Sequence, residues 1–388
     1  MQGCKNLVNL SRIGINEVEL RMKEHNSLSE FMQENYLAIV SQPRDLDETF
    51  KQGKAIIEEL AEELNRINMD RILLTGCGDS LFVSEICRFA FKEFVGMSTE
   101  AIPALELARY HKLNGNDVVI ASSASGRTSR TIEAVKSAKS QGAYVVSVTN
   151  NISGILAQLS DWILLTRCSP PIGISPSKTS TTALLLLFML AVGIADRMDR
   201  IDGLRNEKLM QQLEELPRIV ETCIRQNETR VKETASVLKN CENFHFIGGG
   251  PSLGVAKLGS AKIKELSLGH AEAVELEEFC HYQILIVSEG TPTILVLPPG
   301  ASYDRGIDVM EGLDEVGAKI VLVSDADDEF ITRNAFMRFE IEGDLNEIFS
   351  SIPYTVPLQL FAYHLAIQKG RNPSWFREPN ASAIRISE

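Results

Sequence analysis

Short apolar runs alternate with longer amphipathic stretches along most of the chain. The runs lie at residues 71–75, 118–122, 144–148 and 162–165, and again at 244–247, 293–297, 319–324 and 336–341. They show little alternation of polar and apolar residues, which is typical of strands buried on both faces of a sheet. Stretches between them, such as residues 47–68 and 131–140, have helical periodicity. This order predicts an α/β fold with parallel strands and crossover helices.

A glycine-rich turn occurs twice in the same setting. Gly76-x-Gly78-x-Ser80 follows the first apolar run, and Gly248-x-Gly250-x-Ser252 follows the run at 244–247. The matching pattern predicts two copies of one unit, each a five-stranded parallel sheet with helices on both faces, as in a flavodoxin-like three-layer sandwich. The expected divisions are a helical arm (1–45), a first unit (46–198), a helical connector (199–240) and a second unit with a tail (241–388).

Composition and charge argue against several classes of protein. The chain has 388 residues, of which 44% are hydrophobic and 23% charged, as in globular proteins. Its net charge of −13 repels nucleic acid and anionic membranes, so neither is expected as a partner. The longest apolar run, residues 183–195, is too short to cross a membrane and predicts a buried helix. Residues 1–11 lack the apolar segment of a signal peptide, and the seven cysteines form no C-x-x-C pair, so we expect a cytoplasmic protein with reduced thiols.

Two polar turns in the first unit are suited to binding a phosphate. Each follows a strand and precedes a helix, where backbone N–H groups and the helix dipole favour an anion. The hydroxyl-bearing residues of these turns are Ser80, Ser123, Ser125 and Thr128. Helix capping is the alternative use of such hydroxyls, but two adjacent turns of this kind favour a phosphate site. Leu81 stands where a dinucleotide fingerprint needs glycine, so no nucleotide cofactor is expected.

A predicted helix in the second unit, residues 256–268, carries a candidate general base. The residues on one stripe of this helix are Leu258, Ala261, Glu265 and Leu268. A carboxylate on an apolar stripe loses hydration, which is expected to raise the pKa of Glu265 toward the range of a general base. Lys262 lies on the same side and could orient a substrate oxygen or form a structural ion pair with Glu265. The periodicity leaves both roles open.

Residues 270–281 contain two histidines, four glutamates and a cysteine. Such a composition raises the possibility of a metal site, but the spacing fits no standard zinc pattern, and a run of glutamates is usually a solvated face. We therefore expect no metal here. Nothing in the sequence identifies a base that would make Cys280 a nucleophile.

Several motifs, in order, resemble the SIS (sugar isomerase) domain family. The segments that carry the resemblance are Cys77-Gly78-Asp79-Ser80, residues 123–128, Ser177-Lys178-Thr179, residues 261–273 and residues 354–364. The resemblance covers roughly residues 45–388, and this region is similar to the isomerase half of glucosamine-6-phosphate synthase. It implies two tandem SIS domains and a sugar phosphate as the small-molecule ligand.

The resemblance also implies roles for individual residues. Those that would hold the sugar phosphate are Ser80, Ser123, Ala124, Ser125 and Thr128, with weaker contributions from Gly78, Gly126 and Ser177. Glu265 would move a proton between C1 and C2, with Lys262 beside it. His281 of a neighbouring subunit would assist ring opening, so a homodimer with shared active sites and no cofactor is expected.

Three departures from the synthase shape the expected reaction. The sequence has no glutaminase domain, the tail at 377–388 lacks the lysine of the synthase, and Ala124 replaces the usual glutamine. We therefore expect a sugar-phosphate isomerase/deaminase acting on an amino-sugar or ketosamine 6-phosphate, like the related deaminases and deglycases. The alternatives are a plain aldose–ketose phosphate isomerase and a non-catalytic sugar-phosphate-binding protein, although such regulators usually carry a DNA-binding segment.

Overall fold

The computed structural model describes residues 28–170, 175 and 177–371; most of the expected N-terminal arm and the tail at 377–388 lie outside these residues. The helices up to the centre of the chain are α1 (Leu28–Val40), α2 (Gln42–Arg66), α3 (Asp79–Ala90), α4 (Ala104–Tyr110), α5 (Ser129–Ser140), α6 (Ile155–Leu159), α7 (Ser177–Arg197) and α8 (Gly203–Leu238). Those that follow are α9 (Pro251–Lys262), α10 (Leu276–His281), α11 (Tyr303–Glu315), α12 (Glu329–Asn334) and α13 (Ser351–Gln368).

Within the described residues, ten strands form two parallel sheets with the same order. The strands of the first sheet are β1 (Arg71–Gly76), β2 (Thr99–Pro103), β3 (Asp117–Ser122), β4 (Tyr144–Thr149) and β5 (Trp162–Leu165). Those of the second are β6 (Asn243–Gly248), β7 (His270–Glu275), β8 (Pro292–Val296), β9 (Lys319–Ser324) and β10 (Met337–Glu340). The orders are β2-β1-β3-β4-β5 and β7-β6-β8-β9-β10, the flavodoxin-like arrangement. The predicted α/β fold with two five-stranded parallel sheets is confirmed.

The sequence pattern did not identify β2 and β7. Both are edge strands with a single neighbour, β1 for β2 and β6 for β7. Exposed residues interrupt both strands, which therefore lack the continuous apolar character of the inner strands. The run at 270–281 is thus divided between a strand and the short helix α10, and the described residues contain no group of three potential metal ligands.

Buried residues on opposite faces of the inner strands enter different hydrophobic clusters. The inner faces of both sheets share one continuous core, which includes Ile72 and Leu74 of β1 together with Phe244 and Phe246 of β6. Helices α2, α3, α7, α8, α9 and α13 contribute to this core. The outer faces pack separately, on α4, α5 and α6 in the first unit and on α10, α11 and α12 in the second. The predicted burial of both sheet faces is confirmed, and the two units meet through their inner layers.

The apolar helix α7 lies in this shared core. It is the one helix among the described residues whose length and composition would allow it to cross a membrane, yet 89% of its most apolar window is buried inside the protein. The predicted buried helix at 183–195 is confirmed. The segment interpreted as connecting helices is a single helix of 36 residues, α8, which contains Pro217 and buries Leu213, Leu216 and Val220 in the same core. This segment therefore does more than link the two units.

Helices α3 and α9 end alike. Each continues into a five-residue π-helical turn, Phe91–Val95 after α3 and Ile263–Ser267 after α9. These turns lie at the same distance from the two glycine-rich turns, so the repeat extends from the sequence to an uncommon feature of the backbone. Single π turns inside or beside α-helices often occur at functional sites.

Candidate active site

The two polar turns of the first unit lie at one edge of the first sheet. Strands β1 and β3 are parallel neighbours, with Thr75 opposite Ala121, so the turns that follow them start side by side. Gly78 has φ +57°, a left-handed conformation that favours glycine, and α3 begins directly after it at Asp79. Gly126 in the second turn has φ +63°. Both turns thus depend on glycine at the positions that the sequence singled out.

Two hydroxyls of the second turn are in contact with each other, and the third accepts a hydrogen bond from the backbone of the same turn. Ser123 Oγ lies 3.0 Å from Thr128 Oγ1, and Ser125 Oγ accepts a hydrogen bond from the Arg127 N–H at 3.2 Å. The Ala124 carbonyl accepts the Asn150 N–H at 3.0 Å, which ties this turn to the end of β4. The structure therefore brings the predicted residues of this turn together.

Helix capping does not account for these hydroxyls. Thr128 immediately precedes α5, but within the described chain its side chain caps none of the helix's N–H groups. Ser122 Oγ and Ser129 Oγ, on either side of the turn, are buried and lack a hydrogen-bond partner among the described residues. Buried hydroxyls normally find a partner, so this turn can satisfy an additional acceptor such as a phosphate oxygen.

A buried lysine joins carboxylates from the two units. Lys262 Nζ lies 2.6 Å from Asp79 Oδ2 and 2.7 Å from Glu265 Oε2. The Lys262 side chain is fully buried, whereas 19% of Asp79 and 32% of Glu265 remain exposed. The ion pair between Lys262 and Glu265 that the sequence left open is present, and Asp79, which the sequence analysis did not single out, completes the group.

The electrostatics of this group follow from burial and from opposite charges. Burial raises the pKa of Asp79, and this effect outweighs the neighbouring Lys262 ammonium, which lowers it. Burial alone would lower the pKa of Lys262, but its attraction to Asp79 and Glu265 prevails and the pKa is raised. Lys262 is therefore a fixed ammonium. The raised pKa expected for Glu265 stays a prediction.

Close packing of two helices brings these residues together. Asp79 is the first residue of α3 and Lys262 the last of α9, and Glu265 lies in the π turn that follows. The two helices meet at Gly254, where a Cβ atom would lie 2.2 Å from Ile86 Cγ1. Only a glycine at this position permits such an approach, so the seam between the units is set by a residue without a side chain.

Ser175 contacts Glu265, and Asn35 in turn contacts Ser175. Ser175 Oγ donates to Glu265 Oε2 at 2.7 Å, and the Ser175 N–H donates to Asn35 Oδ1 of α1 at 3.2 Å. Both residues are buried, and both were missed because no motif or periodicity marks them. The predicted Ser177 is buried too, but its hydroxyl donates to the Ser175 carbonyl at 3.2 Å.

His281 lies apart from this group within one chain. Its described contacts are with Glu277, whose Oε1 is 3.7 Å from His281 Nε2, and with the ring of Tyr282. Its side chain is 61% exposed. Tyr282, Leu285 and Ile286 beside it are also largely exposed, so His281 lies on a surface with exposed apolar side chains. Neither Lys262 nor Glu265 is among its contacts within the described residues.

The second unit does not repeat all the hydroxyls of the polar turn that follows β3. By strand register, Leu297 and Pro299 occupy the positions of Ser123 and Ser125. The Ala301 N–H, in the place of Arg127, donates to Glu347 Oε2 at 3.0 Å. A carboxylate of the chain itself thus uses the amide that a bound anion would need. The first unit therefore offers the polar turns that could hold a phosphate, and the second supplies Lys262 and Glu265.

Comparisons with known proteins agree with this architecture. The SIS domain model matches residues 67–193 and 237–369. A glutamine–fructose-6-phosphate aminotransferase (isomerizing) of Thermococcus kodakarensis is 31% identical over 360 residues, covering 91% of this chain and 58% of the relative. The chain therefore spans less than two thirds of the length of that curated relative.

Solved structures show the same fold. The C-terminal domain of glucosamine-fructose-6-phosphate aminotransferase from Francisella tularensis has a TM-score of 0.80 at 24% identity, covering 87% of this chain and 96% of that one. Glucosamine-6-phosphate deaminase from Thermotoga maritima scores 0.70 at 22% identity, covering 88% and 96%. Tagatose-6-phosphate ketose/aldose isomerase from Escherichia coli scores 0.75 at 18% identity, covering 88% and 94%.

Removing the Lys262 ammonium should destabilise the protein in a pH-dependent way. In Lys262→Met, Asp79 and Glu265 lose the ammonium that lies between them, which should cost about 3–5 kcal/mol of unfolding free energy at pH 8. The carboxyl groups of the folded variant then stay protonated to a higher pH than those of the unfolded chain, which titrate near pH ~4. Acidification toward pH ~5 should therefore reduce the loss of unfolding free energy. Urea unfolding at both pH values measures this difference.

Lys257→Met is the matched control for Lys262→Met. Lys257 Nζ lies 2.7 Å from Glu85 Oε2 and joins the same two helices, but both side chains are about a quarter exposed, at 27% and 24%. We expect a smaller loss that changes little with pH. Equal losses for Lys262→Met at both pH values would show that the two carboxylates carry no uncompensated charge in the variant.

Proposed function

This chain belongs to the SIS domain family, and we propose that it is an enzyme that releases an amine from an amino-sugar or ketosamine 6-phosphate. The observation that carries the proposal is the Lys262 group, in which a partly exposed carboxylate, Glu265, lies beside a fixed ammonium and next to the helix that follows the first polar turn. This arrangement suits proton transfer at carbon on a ligand held by its phosphate.

The phosphate end is assigned to the first unit. Ser80, Ser123, Ser125 and Thr128 offer hydroxyls, and the turns add backbone N–H groups at the starts of α3 and α5. Such donors bind an anion without a basic surface, which fits a chain with a net charge of −13. Ala124 contributes its backbone, and Gly78 and Gly126 allow the close approach.

Glu265 would act as the general base. With a ketosamine, it takes the proton from C1 while the C2 oxygen gains a proton, which gives an enaminol with a C1=C2 double bond. Return of the first proton to C2, with loss of the N–H proton, leaves an imine at C1. Water then breaks the imine, giving the aldose phosphate and the free amine. With a 2-amino aldose the proton moves from C2 to C1, the imine forms at C2, and water gives the ketose phosphate and ammonia. Lys262 would orient the substrate oxygen.

Plain aldose–ketose isomerisation is the second candidate. The same base and cradle can move a proton between C1 and C2 of a sugar without nitrogen. The named activity of one structural neighbour, a ketose/aldose isomerase, shows that this fold also hosts that chemistry. The deaminase among the neighbours and the aminotransferase relative are the corresponding support for amine chemistry.

A product assay distinguishes these two functions. Glucosamine 6-phosphate or a fructosamine 6-phosphate should release ammonia or free amine without glutamine, and fructose 6-phosphate alone should give little glucose 6-phosphate. Glu265→Gln should lower turnover by about 10²–10⁴-fold, since it keeps the shape and loses the proton acceptor. A coupled ammonia assay beside proton NMR of the products in deuterated water provides the measurement. Rapid interconversion of the sugar phosphates without amine release would favour the plain isomerase.

The proposed phosphate cradle, formed by Ser80, Ser123, Ser125 and Thr128, leads to a separate prediction about ligand binding. Ser125→Ala and Thr128→Val should each weaken affinity for a sugar phosphate by about tenfold, because each removes a hydrogen bond to a charged oxygen. Ser302→Ala is the matched control, since Ser302 corresponds to Thr128 in the second unit and should leave affinity unchanged. Isothermal titration calorimetry measures all three. If only Ser302→Ala weakened binding, the cradle would belong to the second unit.

His281 is proposed to act in the site of a neighbouring subunit. Its exposure of 61% and the exposed Tyr282, Leu285 and Ile286 beside it support a subunit contact at this surface. Glu265→Gln and His281→Asn should each be inactive alone but regain part of the activity when mixed and refolded, because some mixed dimers contain one native site. The absence of any regain in dimers verified to be mixed would place the whole site within one chain.

A further inference from the structure

We propose that Ser175, which is held in turn by Asn35 of α1, is a positioning residue that fixes the carboxylate of Glu265 for proton transfer. The inference rests on the proposed function, because it assumes that Glu265 is the base. It applies equally to amine release and to plain isomerisation, since both reactions move a proton between C1 and C2. Its basis is a chain of hydrogen bonds from α1 to the base.

The side chain of Glu265 needs support from outside its own turn. Glu265 lies in the π turn at Ile263–Ser267, and 32% of its side chain is exposed. A glutamate has several side-chain torsions, so a partly exposed carboxylate samples different orientations unless hydrogen-bond donors fix it. Orientation matters for a base, because a misplacement of about 1 Å can lower a rate by ~100-fold.

Two donors from different units meet at one oxygen of this carboxylate. Lys262 Nζ and Ser175 Oγ each lie 2.7 Å from Glu265 Oε2. Lys262 precedes Glu265 by three residues, so its contact is local to the second unit. Ser175 lies between β5 and α7 of the first unit and contacts Glu265 across the seam. Donors on separate elements restrict the rotation of the carboxylate more than either could alone.

The backbone of Ser175 is itself held on both sides. Its N–H donates to Asn35 Oδ1 at 3.2 Å, and its carbonyl accepts a hydrogen bond from Ser177 Oγ at 3.2 Å. Ser175 and Asn35 are both buried, so water competes little for these hydrogen bonds. The Ser175 hydroxyl therefore extends from a fixed point of the chain.

Asn35 is a firm anchor because its helix is attached to the shared core. The adjacent Tyr36 packs on Tyr363 of α13, with ring centroids 5.3 Å apart, and on the ring of His364 at 6.3 Å. His364 Nε2 in turn lies 3.1 Å from Glu228 Oε1 of α8. Contacts thus run without interruption from the core helices through α1 to the carboxylate of the base.

Two other roles of Ser175 give different results. A purely structural tie between the units would reduce the amount of folded enzyme but not the rate at each correctly folded site. Direct contact with the ligand would weaken binding. The turnover number per binding-competent site, measured beside affinity, therefore separates positioning from both alternatives.

Ser175→Ala is the main test. Turnover per competent site should fall about tenfold, while KM stays within about twofold of the wild-type value. The substrate is glucosamine 6-phosphate, or fructose 6-phosphate if the wild type converts only that compound. Calorimetric titration with glucitol 6-phosphate, which lacks a reactive carbonyl, counts the competent sites and gives the affinity. Ser175→Cys keeps the size but donates weakly, and it serves the same test if Ser175→Ala fails to fold.

Double variants test whether these residues act through Glu265. Asn35→Ala should lower turnover in the same direction as Ser175→Ala, and the two changes together should cost less than the product of their separate effects. In a Glu265→Gln background, Ser175→Ala should leave the residual rate unchanged, because no base remains to be positioned. A general structural defect would lower the residual rate further.

Ser267→Ala is the matched control. Ser267 is buried in the same π turn as Glu265, and its hydroxyl donates to the Ile263 carbonyl at 2.8 Å. This variant should keep the wild-type turnover. Wild-type turnover in Ser175→Ala, weaker binding at unchanged turnover, or a further loss in the Glu265→Gln background would overturn the inference alone. Full turnover in Glu265→Gln, or no conversion of either sugar phosphate by the wild type, would instead overturn the proposed function.

Discussion

The buried ammonium of Lys262 constrains the whole arrangement. A lysine with no exposed side-chain surface must have its charge balanced, because an unpaired buried ion is far more costly than a buried apolar group. Asp79 from the first unit and Glu265 from the second provide that balance, so the ion group can form only when the two units are correctly joined. The shared core of the two inner sheet faces has the same consequence, since neither unit can bury its inner layer alone.

The distance between α3 and α9 determines whether this ion group can exist. Lys262 reaches Asp79 because Gly254, which has no side chain, lets α9 pack directly on the Ile86 side chain of α3. Core packing thus sets the geometry of the charged group, and the charged group in turn fixes the rotamer of Glu265. Ser175 adds a second donor to the same Glu265 oxygen and links it to α1, which lies outside the segments matched by the SIS domain model. The arm that precedes the first unit therefore contributes to the site.

The sequence predicted what depends on local pattern and missed what depends on long-range contact. Inner strands are continuous apolar runs, and the glycine turns and the Lys262–Glu265 pair follow from spacings of a few residues, so all of these could be predicted. Edge strands β2 and β7 lack that apolar continuity. The contact of Asp79 with Lys262 joins residues 183 positions apart, and that of Ser175 with Glu265 spans 90. No periodicity connects such pairs, so only the packing of the two units reveals them.

The two units have become different in complementary ways. Both keep the glycine turn, the helix after it and the π turn that ends that helix. At the position of Lys262, however, the first unit has the buried Ala90, and at the position of Asp79 the second has Pro251. In the second unit Leu297 and Pro299 also stand in place of Ser123 and Ser125, and Glu347 accepts a hydrogen bond from an amide of the same turn. Because each unit lacks what the other provides, the proposed site lies at the seam, with the proposed phosphate-binding turns in one unit and Lys262 and Glu265 in the other.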